Sequence, residues 1–291
     1  WSRRTFSVPQ DWAGKRIQLN FGAVDWQATV WVNGRKVGEH RGGYDPFSFD
    51  ITSALTDTGP QQITVSVWDP TDAGTQARGK QIRKPQSIWY TPVTGIWQTV
   101  WLEPVPEIAI ERVKIVPDAK HGKVQMTVSA SSSGEPEAKV RIVSRSLGDK
   151  TEPIAAIAGS GKAGTPVTLQ IPEPRLWTPD APWLYQYEVQ LDGGDNATGY
   201  FGLRDVARGK DGSGNQRLLL NGKPLFHYGP LDQGWWPDGL YTAPTDEALL
   251  YDLLVTKEMG FNMIRKHVKV EPATWYAHCD RLGLMVWQDM P

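Results

Sequence analysis

A change of hydrophobic period near residue 206 constrains this chain more than any other feature. Up to that point apolar residues recur at every second position, as in Phe47, Phe49 and Ile51, or Tyr185, Tyr187, Val189 and Leu191. A period of two places alternate side chains on opposite faces of a strand, so it predicts half-buried antiparallel sheets. Asn33-Gly34, between the runs VWV and RKV, predicts a tight hairpin because both residues tolerate a positive φ. Pro104 and Pro106 mark a boundary between two strand-rich blocks, residues 1–106 and 107–205. The first block reads as an antiparallel sandwich or jelly roll, and the second has the strand number and spacing of an immunoglobulin-like sandwich.

From residue 206 to 291 the pattern becomes strand, helix, strand, helix, strand. Leu218 to Leu220, Asn221-Gly222 and Pro224 to Tyr228 predict a hairpin feeding a buried strand. In TDEALLYDLLVTKEMG, Thr245 is the expected N-cap, Asp246 and Glu247 sit where the helix dipole favours acids, and Gly260 is the stop. Leu250, Leu253 and Leu254 read as its apolar stripe. FNMIR reads as a buried strand, EPATWYAHCDRLG as a helix with Trp275, Cys279 and Leu282 on one face, and LMVW as a further strand. This alternation belongs to parallel sheets and β/α barrels. A parallel strand buried on both faces needs neighbours on each side, and a whole barrel takes about 250 residues. The chain is therefore expected to stop in mid-fold after GLMVWQDMP. Its opening, WSRRTFSVP, is strand-like and lacks Met, so a segment upstream is expected as well.

Composition narrows the function. The net charge is -1, which offers no field to attract nucleic acid or an anionic membrane. No apolar run is long enough to span a bilayer. Cys279 is the single cysteine, so it indicates neither a disulfide framework nor a compartment. The five histidines show no metal-ligand spacing, and nothing indicates a cofactor. Fourteen tryptophans can serve as core fillers in sandwiches or as stacking faces for sugars. GKDGSGNQ opens no helix and reads as a hairpin turn rather than a phosphate loop.

Several stretches taken in order, FGAVDWQATVWVNGRKVGEHRGGYDPFSFDIT, GIWQTVWLEPV, LWTPDAPWLYQYEV, LLLNGKPLFHYG, EMGFNMIR and CDRLGLMVWQD, resemble the family 2 glycoside hydrolases. That family includes β-galactosidases, β-glucuronidases and β-mannosidases. The resemblance implies a multidomain, mainly β chain: a galactose-binding-like jelly roll, an immunoglobulin-like β-sandwich, and the first strands and helices of a truncated (β/α)8 TIM barrel. It implies a carbohydrate substrate with a β-glycosidic bond, and a homo-oligomer is a possible state of the full-length enzyme. Hydrolysis would be retaining, using two carboxyl groups about 5–5.5 Å apart. In the family both are glutamates on later barrel strands, the acid/base directly after an asparagine. This sequence has no Asn-Glu dipeptide, so no catalytic residue is assigned within it and the chain alone is expected to be inactive. The rival reading is a non-catalytic carbohydrate-binding or adhesion protein built on two sandwiches; the α/β segment after Leu218 argues against it.

Barrel active sites gather at the C-terminal ends of strands, which selects the candidate pocket residues. Arg265 matches an arginine the family carries, and either orients a carboxylate or sugar hydroxyl or pairs with a barrel acid. His267 lies one residue short of the position of a histidine in many β-galactosidases, and is either a sugar contact or an exposed loop residue. Asp232, placed after the first strand, either edges the pocket or forms a turn. Asp289 occupies the second acidic position of an Asp-Glu pair common after this strand in the family, with Gln288 replacing the first. It would support a catalytic carboxylate or pair with Arg265. Trp89, Tyr90 and Trp235 are either sugar-stacking faces or domain-interface packing.

Overall fold

The computed structural model describes residues 1–131, 134–148 and 150–291. Two pairs of antiparallel sheets come first. The four-stranded sheet of the first pair runs in the order Ser2–Phe6, Gln61–Trp68, Gln27–Val32, Arg35–Arg41, and its three-stranded partner in the order Phe47–Asp50, Arg16–Phe21, Val100–Val105. Their inward residues, among them Ile17, Leu19, Phe21, Val30 and Val65, form one core. Asn33 and Gly34 adopt φ of 50° and 79°, as the hairpin requires. The Asn33 side chain also donates to the Ala54 carbonyl at 2.9 Å and accepts from the Gln62 amide at 2.9 Å, so the turn ties two strands together. Two short 3-10 turns, Gln10–Trp12 and Thr52–Ala54, interrupt a block that the sequence reads as free of helix.

In the second pair, Ile110–Asp118, Lys123–Ala130 and Val167–Gln170 face a four-stranded sheet of Lys150–Lys162, Glu137–Leu147, Leu184–Leu191 and Asn196–Phe201. Val124, Met126, Val140, Ile142, Tyr185 and Val189 fill the space between. The alternation of YQYEVQL holds: Tyr185, Tyr187, Val189 and Leu191 are buried, while Glu188 and Gln190 are exposed.

The last part holds three parallel strands in the order Leu231–Asp232, Met263–Lys266, Met285–Gln288, with helices α1 (Asp246–Glu258) and α2 (Ala273–Leu282) in the connections. Thr245 caps α1 by accepting from the Ala248 amide at 3.2 Å, and Gly283 ends α2 with φ 75°. Three expectations need correction. The buried stripe of α1 is Leu249, Leu253 and Thr256, while Leu254 is exposed, because the Trp275 and Cys279 face of α2 meets the helix one residue earlier in its turn. The segment Pro224 to Tyr228 is no buried strand: only Lys223–Pro224 pairs, and Phe226 and Tyr228 are exposed. Its backbone is held instead by one side chain, Asn262, which accepts from the Tyr228 amide and donates to the Phe226 carbonyl. LMVW is buried only at Leu284: Met285 and Val286 are half-buried and Trp287 is exposed, because Met285–Gln288 forms the expected edge of the sheet and lacks a neighbour on one side.

The second sheet pair grips the helical part through Trp177, which is fully buried and donates its indole N–H to the Asp280 carbonyl at 2.8 Å. Gly283 approaches Pro179 so closely that a Cβ there would lie 2.2 Å from the Pro179 carbonyl oxygen. Among the described residues no helix is long and apolar enough to cross a membrane.

The corrected α1 face gives a direct test. Leu253→Ala should cost about 2–5 kcal/mol and Leu254→Ala less than about 1 kcal/mol in urea unfolding; equal losses would contradict this packing.

Candidate functional site

The C-terminal ends of the three parallel strands bring Arg265, His267 and Asp289 together on one face, with Asp232 turned to the other. By strand alternation Arg265 and His267 lie on one face and Lys266 on the other. Asp289 follows the last strand, its amide donating to the Lys266 carbonyl at 3.0 Å. Its carboxylate takes a two-pronged contact from Arg265, Nε to Oδ1 at 3.2 Å and Nη2 to Oδ2 at 2.9 Å. His267 Nδ1 lies 2.9 Å from the same Oδ2. Arg265, and after it His267, hold the Asp289 carboxyl below the usual carboxylate range. The fork geometry of guanidinium on carboxylate fixes both partners.

His267 is mostly buried, at 14% side-chain exposure, so it is no exposed loop histidine. Its Nε2 meets Lys80 Nζ at 3.1 Å. An ammonium can only donate, which places the ring proton on Nδ1, facing Asp289. Lys80 comes from the first sheet pair, from the long loop between Trp68 and Gly95, and the sequence reading missed it.

On the opposite face is a second group that the sequence reading also missed. Lys266 is buried, its Nζ donating to Asp232 Oδ2 at 2.6 Å and Glu271 Oε1 at 2.8 Å, with the Trp275 ring centroid 4.4 Å away. Lys269 donates to the carbonyls of Gly234 at 2.6 Å and Tyr241 at 2.8 Å and lies 3.0 Å from Glu271. Burial lowers the Lys269 pKa, against the pull of Glu271. The one signal available beforehand was the lysine pair itself, Lys266 and Lys269, just after the apolar Met263 and Ile264. Asp232 itself lies on the first strand, paired with Lys266, rather than in a loop beyond it. It also forms a turn, Oδ1 accepting from the Gly234 amide at 2.7 Å.

The aromatic candidates divide. Tyr90 packs on Trp235 at 4.9 Å and Trp235 on Tyr241 at 4.9 Å, which joins both to the buried group of Ala23, Tyr44, Trp97 and Tyr241 between the first sheet pair and the parallel strands. Trp89 stays partly exposed, with the Arg78 guanidinium 5.6 Å from its ring centroid, and lines a cavity of ≈ 350 Å³ with Gln76, Arg78, Lys80, Val268 and Pro291. Among the described residues no cluster of three or more His, Cys, Asp and Glu side chains could hold a metal ion.

Beneath the loop, Asp25 is buried, and desolvation together with the Asp69 carboxylate pushes its carboxyl up to about 7. The folded chain therefore keeps this proton to a higher pH than the unfolded chain, whose carboxyl titrates near 4. The group makes stability fall as pH rises from about 4 to about 7, with no further change above. Asp25→Asn should flatten that part of the stability profile in chemical denaturation; an unchanged slope would show that Asp25 is ionised throughout.

Residues 1–106 match the family described as "Glycosyl hydrolases family 2, sugar binding domain", and residues 108–204 match "Glycosyl hydrolases family 2". The chain is 27% identical to a β-galactosidase of Thermoanaerobacter pseudethanolicus over 100% of its own length and 39% of that protein. It is 25% identical to the β-glucuronidase of Rattus norvegicus, over 100% of its length and 47% of the relative. A crystal structure of a Bacteroides uniformis β-glucuronidase superposes with a TM-score of 0.78 at 27% identity, covering 99% of this chain and 36% of the other. The chain thus spans less than half the length of each of these proteins. With both matches in sequence order and together covering well over half of its residues, the chain belongs to glycoside hydrolase family 2.

Proposed function

We propose that this chain is the N-terminal part of a retaining β-glycosidase that hydrolyses O-glycosyl bonds between two glutamates lying outside these residues. The observation that carries this reading is the Lys80–His267–Asp289–Arg265 network at the C-terminal ends of parallel strands, where β/α enzymes present side chains to substrate. In this reading residues 206–291 begin a (β/α)8 barrel, residues 1–106 are a galactose-binding-like jelly roll, and residues 107–205 are an immunoglobulin-like sandwich that buttresses the barrel.

The carboxylates at this end suit support rather than catalysis. Retaining hydrolysis needs one carboxyl that can carry a proton to the leaving oxygen and one free to attack the anomeric carbon. Asp289 is engaged by Arg265 and His267, Asp232 by Lys266, and Glu271 by Lys266 and Lys269. Arg265, partly exposed beside Asp289, keeps N–H groups that can donate to a sugar hydroxyl or to a catalytic carboxylate, while His267, with both ring nitrogens engaged, holds Asp289 and Lys80 in place. Trp89 supplies the open aromatic face, while Tyr90 and Trp235 stiffen the wall behind it. The parallel sheet with its two covering helices favours an enzyme over a binding module made of sandwiches alone.

Two measurements test the reading. The reading frame past Pro291 should encode an Asn-Glu pair within one or two βα units, at about 30 residues or more per unit, and a later strand-end glutamate. Absence of both would refute the reaction class. The 291-residue chain by itself should show no turnover of 4-nitrophenyl β-glycosides above the uncatalysed rate, whereas hydrolysis by it would place catalytic groups within these residues.

A further inference from the structure

The loop that delivers Lys80 is rich in cations: Arg78, Lys80, Arg83 and Lys84 lie within seven positions. Arg83 is engaged by Asp72 at 2.6 Å. Arg78 and Lys80 differ from it, because both are half-buried and, among the described residues, neither forms an ion pair with a carboxylate. Arg78 donates to the Asp72 carbonyl at 3.4 Å and lies beside Trp89. Lys80 gives one N–H to His267 and has two more to offer. The nearby acid, Asp289, is already held by Arg265 and His267. Two cations drawn partly out of water without a counter-charge are costly unless an anion joins them.

The backbone holds them there against its own preference. Lys80 has φ 63° and Val268, across the same cavity, has φ 45°, a left-handed conformation unusual for any side chain and most of all for a β-branched one. Strain of this kind persists where the surroundings enforce it, commonly at ligand sites. Here the enforcement is visible at Gly79, where a Cβ would lie 2.5 Å from the Tyr241 hydroxyl and 2.6 Å from both the Tyr44 hydroxyl and the Val268 carbonyl.

We propose that the cavity walled by Gln76, Arg78, Lys80, Trp89 and Val268 reads an anionic substituent, a carboxylate or a sulfate, on the saccharide. Lys80 and Arg78 supply the counter-charge and Trp89 packs against the sugar ring. The inference rests on the strand ends being the saccharide site, and it assigns this chain an acidic rather than a neutral sugar.

The test is an NMR-monitored titration of the 291-residue chain at low salt with methyl β-glucuronide, methyl β-galactoside 6-sulfate and methyl β-galactoside. At least one anionic glycoside should bind about ten-fold or more tightly than the neutral one, the scale of one or two charge-assisted hydrogen bonds. Preference for the glucuronide alone identifies a carboxylate reader, and preference for the sulfate alone a sulfate reader. The preference should shrink as salt is raised, and the double variant Arg78→Met with Lys80→Met should abolish it at unchanged circular dichroism. Lys80→Gln offers a milder variant should the pair perturb folding, and it should reduce the preference. Equal binding of charged and neutral glycosides, or a preference that survives these substitutions or high salt, overturns the inference while leaving the saccharide-site reading in place. Binding of none overturns it too, and the reaction class is then judged separately by the reading frame.

Discussion

The arrangement depends on one buried contact: the hydroxyls of Tyr44 and Tyr241, 2.7 Å apart, closing over Gly79. Tyr44 belongs to the first sheet pair and Tyr241 to the connection between the first parallel strand and α1. Their bond therefore fastens two parts of the chain separated by nearly two hundred residues. Burial pushes both hydroxyls above the ordinary tyrosine range, so each keeps its proton. A neutral pair can share a hydrogen bond in a low-dielectric site where an ionised one would be expelled. Trp97 strengthens the junction, donating to the Gly43 carbonyl at 2.7 Å, while its own carbonyl accepts from the Thr242 hydroxyl at 2.8 Å. With this junction closed, the 71–94 loop cannot pull away from the strand ends without exposing a dense aromatic group.

The buried ion cluster performs a matching task on the other face of the sheet. Lys266 and Lys269 are almost wholly shielded from water, a position that costs several kcal/mol per ion unless every N–H finds an acceptor. Two carboxylates and two backbone carbonyls take five of the six N–H groups, and the Trp275 ring lies against the Lys266 ammonium. In return the cluster fixes the course of the chain from Asp232 to Gly234 and from Lys266 to Glu271. Tyr276, Gln288 and the Lys269 carbonyl extend it to the last strand, the tyrosine hydroxyl donating to the Gln288 side-chain oxygen. Arg265, His267 and Asp289 thus project from a strand end whose other face is immobilised by charge.

How far this was legible depended on whether each contact was local. The Asn33-Gly34 turn, the Thr245 cap and the Gly283 stop are each set by backbone geometry within a few residues, and the structure uses them as the chain predicts. The pairing of Arg265 with Asp289 was open as one of two readings, since parallel neighbours put strand ends side by side. Lys80 was invisible because its meeting with His267 depends on how the first sheet pair docks, a distance of 187 residues along the chain that no period encodes. Leu250 reads as well as Leu249 for a related reason. A run of two adjacent leucine pairs fits a stripe in either register, and only the partner helix decides between them. Phe226 and Tyr228 misled because aromatic alternation mimics a strand, whereas the Asn262 side chain had already taken the backbone groups that a ladder would use.

The central claim is that the sandwich loop and the parallel strand ends form one rigid, saccharide-facing site. Gly79→Ala tests it most directly, because the added methyl must displace both tyrosine hydroxyls and the Val268 carbonyl at a residue whose φ is 55°. Hydrogen–deuterium exchange on the variant should show segments 71–94 and 266–271 losing protection together while the strands of both sheet pairs keep theirs. Loss confined to one of the two segments, or to neither, would contradict the claim that they act as a unit.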